Sequence, residues 1–241
     1  MLGIIAAGGL GTRMGSTLPK PLTVLPSGKT FLSAAVEKLF PLVDEVAIVT
    51  SMAVLNHKDF IRDEACSYRI QLYPTGMGDA IFSASDLILD HGDILILWCD
   101  QVGITVQTLG DTIAAHKKSE ADLKCTVPQL TKSSMYTHFE VGEGKLEYVL
   151  QAREGDIVPK PSNSDVGLFL CTGGKDFVQA WVSGGREFSR GRSTLEYNFT
   201  PFLSYLSSTG WAFNSVEAQE IDGVGVNDLN ELRTASKRLL L

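Results

Sequence analysis

The chain has 241 residues, of which 44% are hydrophobic and 20% charged, and its formal net charge is −7. This length suits one large α/β domain or two small ones, and the composition is that of an ordinary soluble globular protein. The acidic balance, with no basic stripe, argues against a nucleic-acid polymer as a partner. Small anionic ligands stay possible, because a local basic pocket is enough to bind them.

No membrane span or secretory signal is expected. The longest apolar stretches fall far short of the ~20 residues that cross a bilayer, and no basic region precedes the apolar N-terminal run. The four cysteines lie far apart, without a CxxC pair, and each falls in or beside an apolar run: Cys66, Cys99, Cys125 and Cys171. They are expected to be buried free thiols, which predicts a reducing, cytoplasmic location.

The first half of the chain predicts strands that alternate with helices. Strands are expected at 2–7, 45–50, 68–72 and 93–98, and helices at 30–40, with Thr30 as N-cap, at 78–90 and at 105–118. Nearly continuous apolar strands alternating with helices are typical of a parallel sheet covered on both faces.

After residue 120 the pattern changes. A hairpin is predicted from 136–141 and 145–150, strands at 165–172 and 211–217, and helices near 174–183, 194–206 and 229–240. We therefore expect one α/β domain over residues 1–241, with a mostly parallel, doubly wound sheet and a mixed second half.

The stretch 3–21, GIIAAGGLGTRMGSTLPKP, suits a triphosphate. An apolar run ends in a glycine-rich turn, followed by Arg13 and by Lys20 between two prolines. Such a loop after the first strand lies where open α/β sheets bind ligands. The chain has no Walker A string, and a dinucleotide fingerprint would need a glycine at Met14 and an acidic residue near 31–33. A turn that only connects strand to helix explains the glycines, but neither Arg13 nor Lys20.

The string AAGGLGTRMGSTLPKPL resembles the signature of the sugar-phosphate nucleotidylyltransferases. It is most similar to that of the uridylyltransferase domain that makes UDP-N-acetylglucosamine, roughly LAAGxGTRMxSxLPKxL. The resemblance implies a Rossmann-like nucleotidyltransferase fold, in which residues 1–120 bind the nucleotide and residues 121–241 the acceptor. It also implies a reaction: an acceptor phosphate attacks the α-phosphorus of an NTP, and pyrophosphate is released.

The physical chemistry of the loop fits that reaction. Backbone N–H groups from Gly8 to Thr12 would cradle the triphosphate, Arg13 would contact the β- and γ-oxygens, and Lys20 would lie near the α-phosphate and the acceptor phosphate. The two expected catalytic residues are Arg13 and Lys20. The expected nucleotide-binding residues of this loop are Ala6, Ala7, Gly8, Gly9, Gly11 and Thr12.

By the same resemblance, Mg²⁺ would be held by Asp100, which ends the run ILILWCD, and by Asn227 in GVNDLNEL. Mg²⁺ prefers oxygen ligands and is usually bound through one or two carboxylates plus substrate phosphates. The alternative interpretations are a polar strand end for Asp100 and a turn residue for Asn227, beside Asp228 as the N-cap of the last helix. Asp222 is a spare candidate.

The segment YPTGMGDA, at 73–80, resembles the family segment that receives the nucleobase. Gly76, Gly78 and Asp79 are the candidates, since glycines let a base lie flat against the backbone; the alternative is a simple helix entry. The uracil-reading glutamine of the family falls on Pro74, which leaves UTP, CTP or another nucleotide open.

The acceptor region departs further from the family. Its candidates by alignment are Gln151, Asp165, Gly167 and Glu196, while Arg153 either pairs with Glu154 or Asp156 on a solvated hairpin or binds an anionic acceptor. The segment MYTHF, at 135–139, lacks the family's glycine, which disfavours N-acetylglucosamine 1-phosphate. The acyltransferase half of bifunctional relatives is expected to be absent.

We therefore expect a Mg²⁺-dependent nucleotidylyltransferase that couples an NTP, UTP or CTP in preference, to a small phosphorylated acceptor such as a sugar 1-phosphate. A cytidylyltransferase acting on a phosphonate or polyol phosphate is the alternative within the enzyme class. A catalytically silent nucleotide-binding module is the alternative outside it. The sequence leaves the oligomeric state open.

Overall fold

The computed structural model describes residues 1–15, 18–57, 60, 62–133 and 137–239. The strands are β1 Leu2–Ala7, β2 Glu45–Thr50, β3 Cys66–Ile70, β4 Asp93–Trp98, β5 Lys124–Ser133, β6 Thr137–Gly142, β7 Lys145–Gln151, β8 Ser162–Asp165, β9 Leu168–Thr172 and β10 Ala212–Glu217. The helices are α1 Phe31–Leu39, α2 Met52–Leu55, α3 Met77–Phe82, α4 Ser85–Leu89, α5 Val106–Lys118, α6 Gly174–Ala180, α7 Arg186–Phe188, α8 Phe199–Ser208 and α9 Leu229–Arg238. Short 3₁₀ turns cover Thr12–Met14, Lys20–Leu22, Ala152–Glu154 and Glu220–Gly223, and a kinked segment, Trp181–Gly185, joins α6 to α7.

An eight-stranded sheet forms the centre of the described structure, in the order β10-β5-β9-β4-β1-β2-β3, with β8 also paired to β5. β1 is parallel to β2 and β4, and β2 is parallel to β3. β9 is antiparallel to β4 and β5, so it joins the parallel half to a mixed half. The expected α/β fold, a mostly parallel sheet with a mixed second half, is confirmed.

Both faces of the sheet are covered. Along β1, Ile4 belongs to one buried cluster and Ile5 to another, because successive side chains of a strand point to opposite faces. The first cluster is rich in aromatic rings from α3, α6 and α8; the second includes apolar residues of α1, α5 and α9. This two-sided burial explains why the parallel strands are apolar along their whole length.

Several predicted boundaries change in the structure. The helix predicted at 78–90 divides into α3 and α4, because Ala84 leaves helical geometry with φ −102° and ψ 24°. The helix predicted at 194–206 begins only at Phe199, since the residues before it form a loop. The strand predicted at 165–172 divides into β8 and β9 at Val166 and Gly167, where Gly167 has a φ of 71°.

Most other predicted elements are confirmed. Thr30 caps α1 by accepting a hydrogen bond from the N–H of Ser33 at 3.0 Å. The predicted hairpin corresponds to β6 and β7, although its residue 136 lies outside the described residues. The long strand β5 was not predicted; its Pro128 is a residue that counts against a strand.

The four cysteines are free and buried, as expected. Among the described residues, no helix combines the length and apolar character that a membrane crossing requires.

The fold brings the loops that follow three parallel strands to one edge of the sheet. Ala7 at the end of β1 pairs with Thr50 of β2, Thr50 pairs with Ile70 of β3, and Ala6 pairs with Trp98 of β4. The carboxyl ends of parallel strands point the same way, so residues that follow β1, β3 and β4 are neighbours in space.

Candidate active site

A glycine-rich loop, Gly8–Gly11, follows β1 at this edge. None of the described residues accepts a hydrogen bond from the backbone N–H groups of Gly8 to Gly11. Gly11 has a φ of 69°, and a Cβ atom added there would lie 3.0 Å from Cβ of Lys20. Glycine at this position therefore lets the loop turn closely against the segment that carries Lys20.

Lys20 lies within the 3₁₀ turn Lys20–Leu22, after Pro19. Its ammonium donates hydrogen bonds to Oδ2 of Asp100 and, at 3.1 Å, to Oδ1 of Asn227. The side chain of Lys20 is largely buried, with 14% exposure. Three residues from distant parts of the chain thus meet around one positive charge.

Backbone contacts hold Asp100 and Asn227 together. The N–H of Val226, next to Asn227, donates to the carbonyl of Asp100 at 3.1 Å, and the N–H of Asn227 donates to Glu231 at 2.5 Å. Asp228 caps α9, as the sequence predicted, because its Oδ1 accepts from the N–H groups of Asn230 and Glu231. The C-terminal segment is therefore fixed beside the end of β4.

Asp222 supports this arrangement from behind the cleft. Its carboxylate is completely buried and accepts hydrogen bonds from the N–H of Thr105 at 2.7 Å, the hydroxyl of Thr108 at 2.6 Å and the N–H of Gln219 at 2.7 Å. It lines neither of the cavities described below. Asp222 joins the turn before Asn227 to the start of α5, so it is a positioning residue and not the spare metal ligand that the sequence allowed.

Asp222→Asn is expected to destabilise the protein by about 1–3 kcal/mol, because an amide NH₂ would face donors in a buried site. Urea unfolding measures this change. Glu220→Gln is the matched control, since Glu220 is 89% exposed in the same turn. A stability equal to that of the wild type in Asp222→Asn would contradict the assigned role.

Arg13 has no ion-pair partner among the described residues and is exposed at the cleft. It lies at the junction of two neighbouring cavities, of about 470 and 480 Å³. Both cavities are lined by Arg13, Met77, Asp100, Arg153, Asn198 and Asn227. They are two lobes of one cleft, which we call the glycine lobe and the Asp165 lobe.

The glycine lobe contains the predicted nucleotide-binding residues of the loop. It is lined by Ala6, Ala7, Gly8, Gly9, Gly11, Thr12 and Lys20, and also by Gly76. Gly76 has a φ of 123°, and an added Cβ atom would lie 2.5 Å from the carbonyl oxygen of Tyr197. Only glycine fits there, because the chain is both in a left-handed conformation and in close contact with another backbone segment.

Gly78 and Asp79 do not line either lobe. A Cβ atom added at Gly78 would lie 2.4 Å from Cη2 of Trp181, so this glycine serves the packing of α3. Asp79 accepts two hydrogen bonds from Arg186, at 2.8 and 2.9 Å, and the Arg186 guanidinium lies 3.5 Å from the centre of the Tyr197 ring. These two predicted site residues support the wall of the glycine lobe from outside.

Gln71 lines the glycine lobe and was not singled out from the sequence. It follows β3, and its Nε2 donates to the carbonyl of Gly76 at 2.9 Å. Pro74, to which the family's glutamine aligns, lines the same lobe. The signal that could have identified Gln71 is its place as the first residue after a parallel strand.

The Asp165 lobe contains Gln151, Arg153 and Asp165, whereas Glu196 lines the glycine lobe. Arg153 donates to Glu196 at 2.8 Å, so of its two alternatives the pairing with Glu154 or Asp156 is wrong, and the binding of an anionic acceptor stays a prediction. Asp156 instead pairs with Arg192.

Gly167 does not line the cleft. A Cβ atom added there would lie 2.5 Å from Cγ of Gln101. Of the segment 135–139, Thr137 lines the Asp165 lobe, while residues 135 and 136 lie outside the described residues.

Glu154 fixes the loop at 193–198 by hydrogen bonds. It was not singled out from the sequence as a residue that supports the site. It is 7% exposed and accepts hydrogen bonds from the N–H of Ser193, from the N–H and hydroxyl of Thr194, and from Nδ2 of Asn198. This buried carboxylate holds the loop that carries Glu196 and Asn198 against the cleft.

Within the described parts of the chain, no three His, Cys, Asp or Glu side chains form a group that could hold a metal ion. The oxygens of Asp100 and Asn227 nonetheless converge on one cation, the Lys20 ammonium. A carboxylate and an amide oxygen around one positive charge are a donor set that fits Mg²⁺, which completes its coordination with water and substrate oxygens.

Comparison with known proteins adds a family match. Residues 3–154 match the family model of the MobA-like NTP transferase domain. The chain is 25% identical over 239 residues to the bifunctional protein GlmU of Buchnera aphidicola, covering 97% of this chain and 50% of that protein. It is 26% identical over 237 residues to GlmU of Gluconobacter oxydans, covering 98% and 51%. The chain therefore spans about half the length of these curated relatives.

The fold also resembles a solved structure of UDP-glucose pyrophosphorylase complexed with UDP-glucose. The TM-score is 0.76 at 16% sequence identity, over 99% of this chain and 98% of that one. At this identity the likeness establishes the shared fold.

Proposed function

The chain belongs to the family of MobA-like NTP transferase domains and is therefore a nucleotidyltransferase, and we propose that it joins an NTP to a small phosphorylated acceptor, a sugar 1-phosphate. An oxygen of the acceptor phosphate attacks the α-phosphorus of the NTP. The bond between that phosphorus and the oxygen bridging to the β-phosphate breaks, and pyrophosphate leaves. The observation that carries the proposal is the meeting of Lys20, Asp100 and Asn227 beside the glycine loop.

The glycine loop is proposed to bind the triphosphate. Its N–H groups from Gly8 to Gly11 lack acceptors within the described structure, and the guanidinium of Arg13 lacks an ion-pair partner there. Arg13 would contact the β- and γ-phosphates, where negative charge accumulates as pyrophosphate leaves. A charge pair at about 4 Å contributes roughly 4 kcal/mol at an effective dielectric constant of about 20.

Lys20 is proposed to lie beside the α-phosphate and the acceptor phosphate. The 3₁₀ turn after Pro19 places the ammonium of Lys20 in the glycine lobe, beside Asp100 and Asn227, which line both lobes. Phosphoryl-type transfer depends mainly on positioning and on charge neutralisation. A fixed ammonium between two polyanions supplies both.

Asp100 and Asn227 are proposed to hold Mg²⁺. When bound, the ion would neutralise phosphate charge and so reduce the repulsion between the two substrates. These two residues orient their oxygens towards one point through the backbone contact between Val226 and Asp100. These residues would thus supply a carboxylate and an amide ligand to the ion, while the neighbouring ammonium of Lys20 would contact the substrate phosphates instead of these two oxygens.

The base is proposed to lie over Gly76, beside Gln71. Gln71 already donates to the carbonyl of Gly76, and its remaining amide oxygen is an acceptor for a base N–H. Pro74 on the same wall has a side chain without donor or acceptor. The proposed nucleotide is UTP or CTP, with a cytidylyltransferase acting on a phosphonate or polyol phosphate as the alternative.

The acceptor is proposed to occupy the Asp165 lobe, next to Gln151, Arg153 and Asp165. The names of the similar proteins support a sugar-phosphate acceptor, since one structure is a UDP-glucose pyrophosphorylase with UDP-glucose.

We also propose that residues 1–241 act as one domain, with a nucleotide-binding half over 1–120 and an acceptor-binding half over 121–241. The central sheet contains strands of both halves, which supports a single domain. The buried free thiols support a reducing, cytoplasmic location.

Pyrophosphate release from each NTP with a panel of sugar 1-phosphates, polyol phosphates and phosphonates tests the proposal. We expect Mg²⁺-dependent release with UTP or CTP and at least one sugar 1-phosphate. Release only with CTP and a polyol phosphate or phosphonate would favour the alternative. No release with any pair would contradict nucleotidyl transfer.

A further inference from the structure

Asp165 is a buried carboxylate on the wall of the Asp165 lobe. It is 7% exposed, and it accepts hydrogen bonds from the N–H of Gly167 at 2.9 Å and from the hydroxyl of Thr137 at 3.0 Å. No Lys, Arg or His among the described residues forms an ion pair with it. Burial raises the pKa of Asp165 because it removes water from the charged carboxylate, and the hydrogen bonds from Gly167 and Thr137 oppose this shift only in part.

Gln101 provides a second, independent observation on the same wall. It lines the Asp165 lobe and is 9% exposed, and its buried Oε1 has no hydrogen-bond partner in the described structure. Gly167 adjoins both residues: its N–H binds Asp165, and an added Cβ atom would lie 2.5 Å from Cγ of Gln101. Buried polar atoms are normally paired, so the Oε1 atom of Gln101 is an acceptor that lacks a donor in the described structure.

The charges of the cleft are unevenly distributed. The basic residues that line the Asp165 lobe, Arg13 and Arg153, also line the glycine lobe, so they lie at the junction. Asp165, Gln101 and the aromatic Trp98 line only the Asp165 lobe. A ligand in this lobe meets positive charge at the junction and a negative, aromatic wall beyond it.

We propose that the acceptor carries a protonated amine in addition to its phosphate, and that the amine binds at Asp165. The inference rests on the proposed nucleotidyl transfer. An ammonium supplies the missing positive charge and three hydrogen-bond donors, whereas a hydroxyl supplies one donor and no charge. The Trp98 ring adds an aromatic surface, which attracts cations. The acceptor class is therefore an amino sugar 1-phosphate or an aminoalkyl phosphate.

Sets of acceptors that are matched except at the amine test the proposal, and they distinguish an amino sugar 1-phosphate from an aminoalkyl phosphate. Pyrophosphate release is measured for glucosamine 1-phosphate against glucose 1-phosphate and N-acetylglucosamine 1-phosphate, and for 2-aminoethyl phosphate against 2-hydroxyethyl phosphate. We expect kcat/KM to be higher by about tenfold or more for the amine in one set, since that member alone supplies a positive charge to Asp165. The set in which the amine is preferred identifies the class of acceptor, an amino sugar 1-phosphate or an aminoalkyl phosphate.

Asp165→Asn is expected to bring the ratio between amine and neutral acceptor close to one. Asp176→Asn, on an exposed residue that lines neither lobe, should keep the wild-type ratio. Because the wild-type comparison stands alone, the proposal is testable even if Asp165→Asn does not fold. Equal or better use of the neutral acceptors would overturn the amine inference while leaving nucleotidyl transfer intact. No release with any NTP and acceptor would overturn both.

Discussion

Lys20→Ala is expected to reduce pyrophosphate release by about a thousandfold or more while leaving the fold intact. The ammonium lies beside Asp100 and Asn227, which line both lobes, and there the two reacting phosphates would meet. Loss of a charge pair of roughly 4 kcal/mol corresponds to about three factors of ten in rate. Single-turnover pyrophosphate release at saturating NTP measures the effect.

Lys29→Ala is the matched control for this experiment. Lys29 follows in the same N-terminal region, is 48% exposed and pairs with Glu37 away from the cleft. Its removal should leave turnover and thermal unfolding close to those of the wild type. Wild-type-like turnover in Lys20→Ala would refute the assigned mechanism.

Asp100→Asn is the second change expected to abolish pyrophosphate release. The substitution keeps the size of the side chain and one oxygen, but it removes the negative charge that we assign to Mg²⁺ binding. The side chain is 27% exposed, so the fold should tolerate the change. Pyrophosphate release measured across a series of Mg²⁺ concentrations should stay at background throughout.

Asp111→Asn provides the comparison for Asp100→Asn. Asp111 is an exposed residue of α5, bonded to Gln107, and it lines neither lobe. It should respond to Mg²⁺ as the wild type does. Full activity of Asp100→Asn at ordinary Mg²⁺ concentrations would remove Asp100 from the proposed metal site.

Local sequence patterns were sufficient for the parallel half of the fold. The strands β1, β2 and β4 are buried on both faces, so they are continuous apolar runs that are visible without any tertiary information. Lys20 was predicted from the family signature in the N-terminal string, and Asp100 from its place after an apolar run, where the family has a metal ligand. The structure brings these two residues into contact.

The base and acceptor regions could not be predicted as well, because their roles depend on residues far away in the chain. Gly78 and Asp79 belong to a string that resembles a family motif, but Asp79 forms an ion pair with Arg186, 107 residues further on. Glu196 was predicted in the acceptor site and lies in the glycine lobe. Local strings identify a turn, but not the residue that packs against it.

Gln71 and Glu154 belong to the site or support it, although no sequence motif points to them. Neither lies in a recognised string, so neither was proposed from the sequence. Gln71 reaches the cleft because β3 ends at the same edge as β1, and Glu154 matters because the loop at 193–198 folds over its carboxylate. Such positions are determined by strand order and by loop packing.

The sequence by itself determined the α/β class and the glycine loop, because these depend on short-range periodicity. It predicted Lys20 and Asp100 as site residues through a family resemblance. Only the tertiary structure decided which side chains line the cleft and which support it. It also brought together on one wall the carboxylate of Asp165, which has no cationic partner in the described structure, and the unpaired Oε1 atom of Gln101. Pairing, burial and charge compensation are properties of neighbours in space, and in this chain those neighbours come from distant segments.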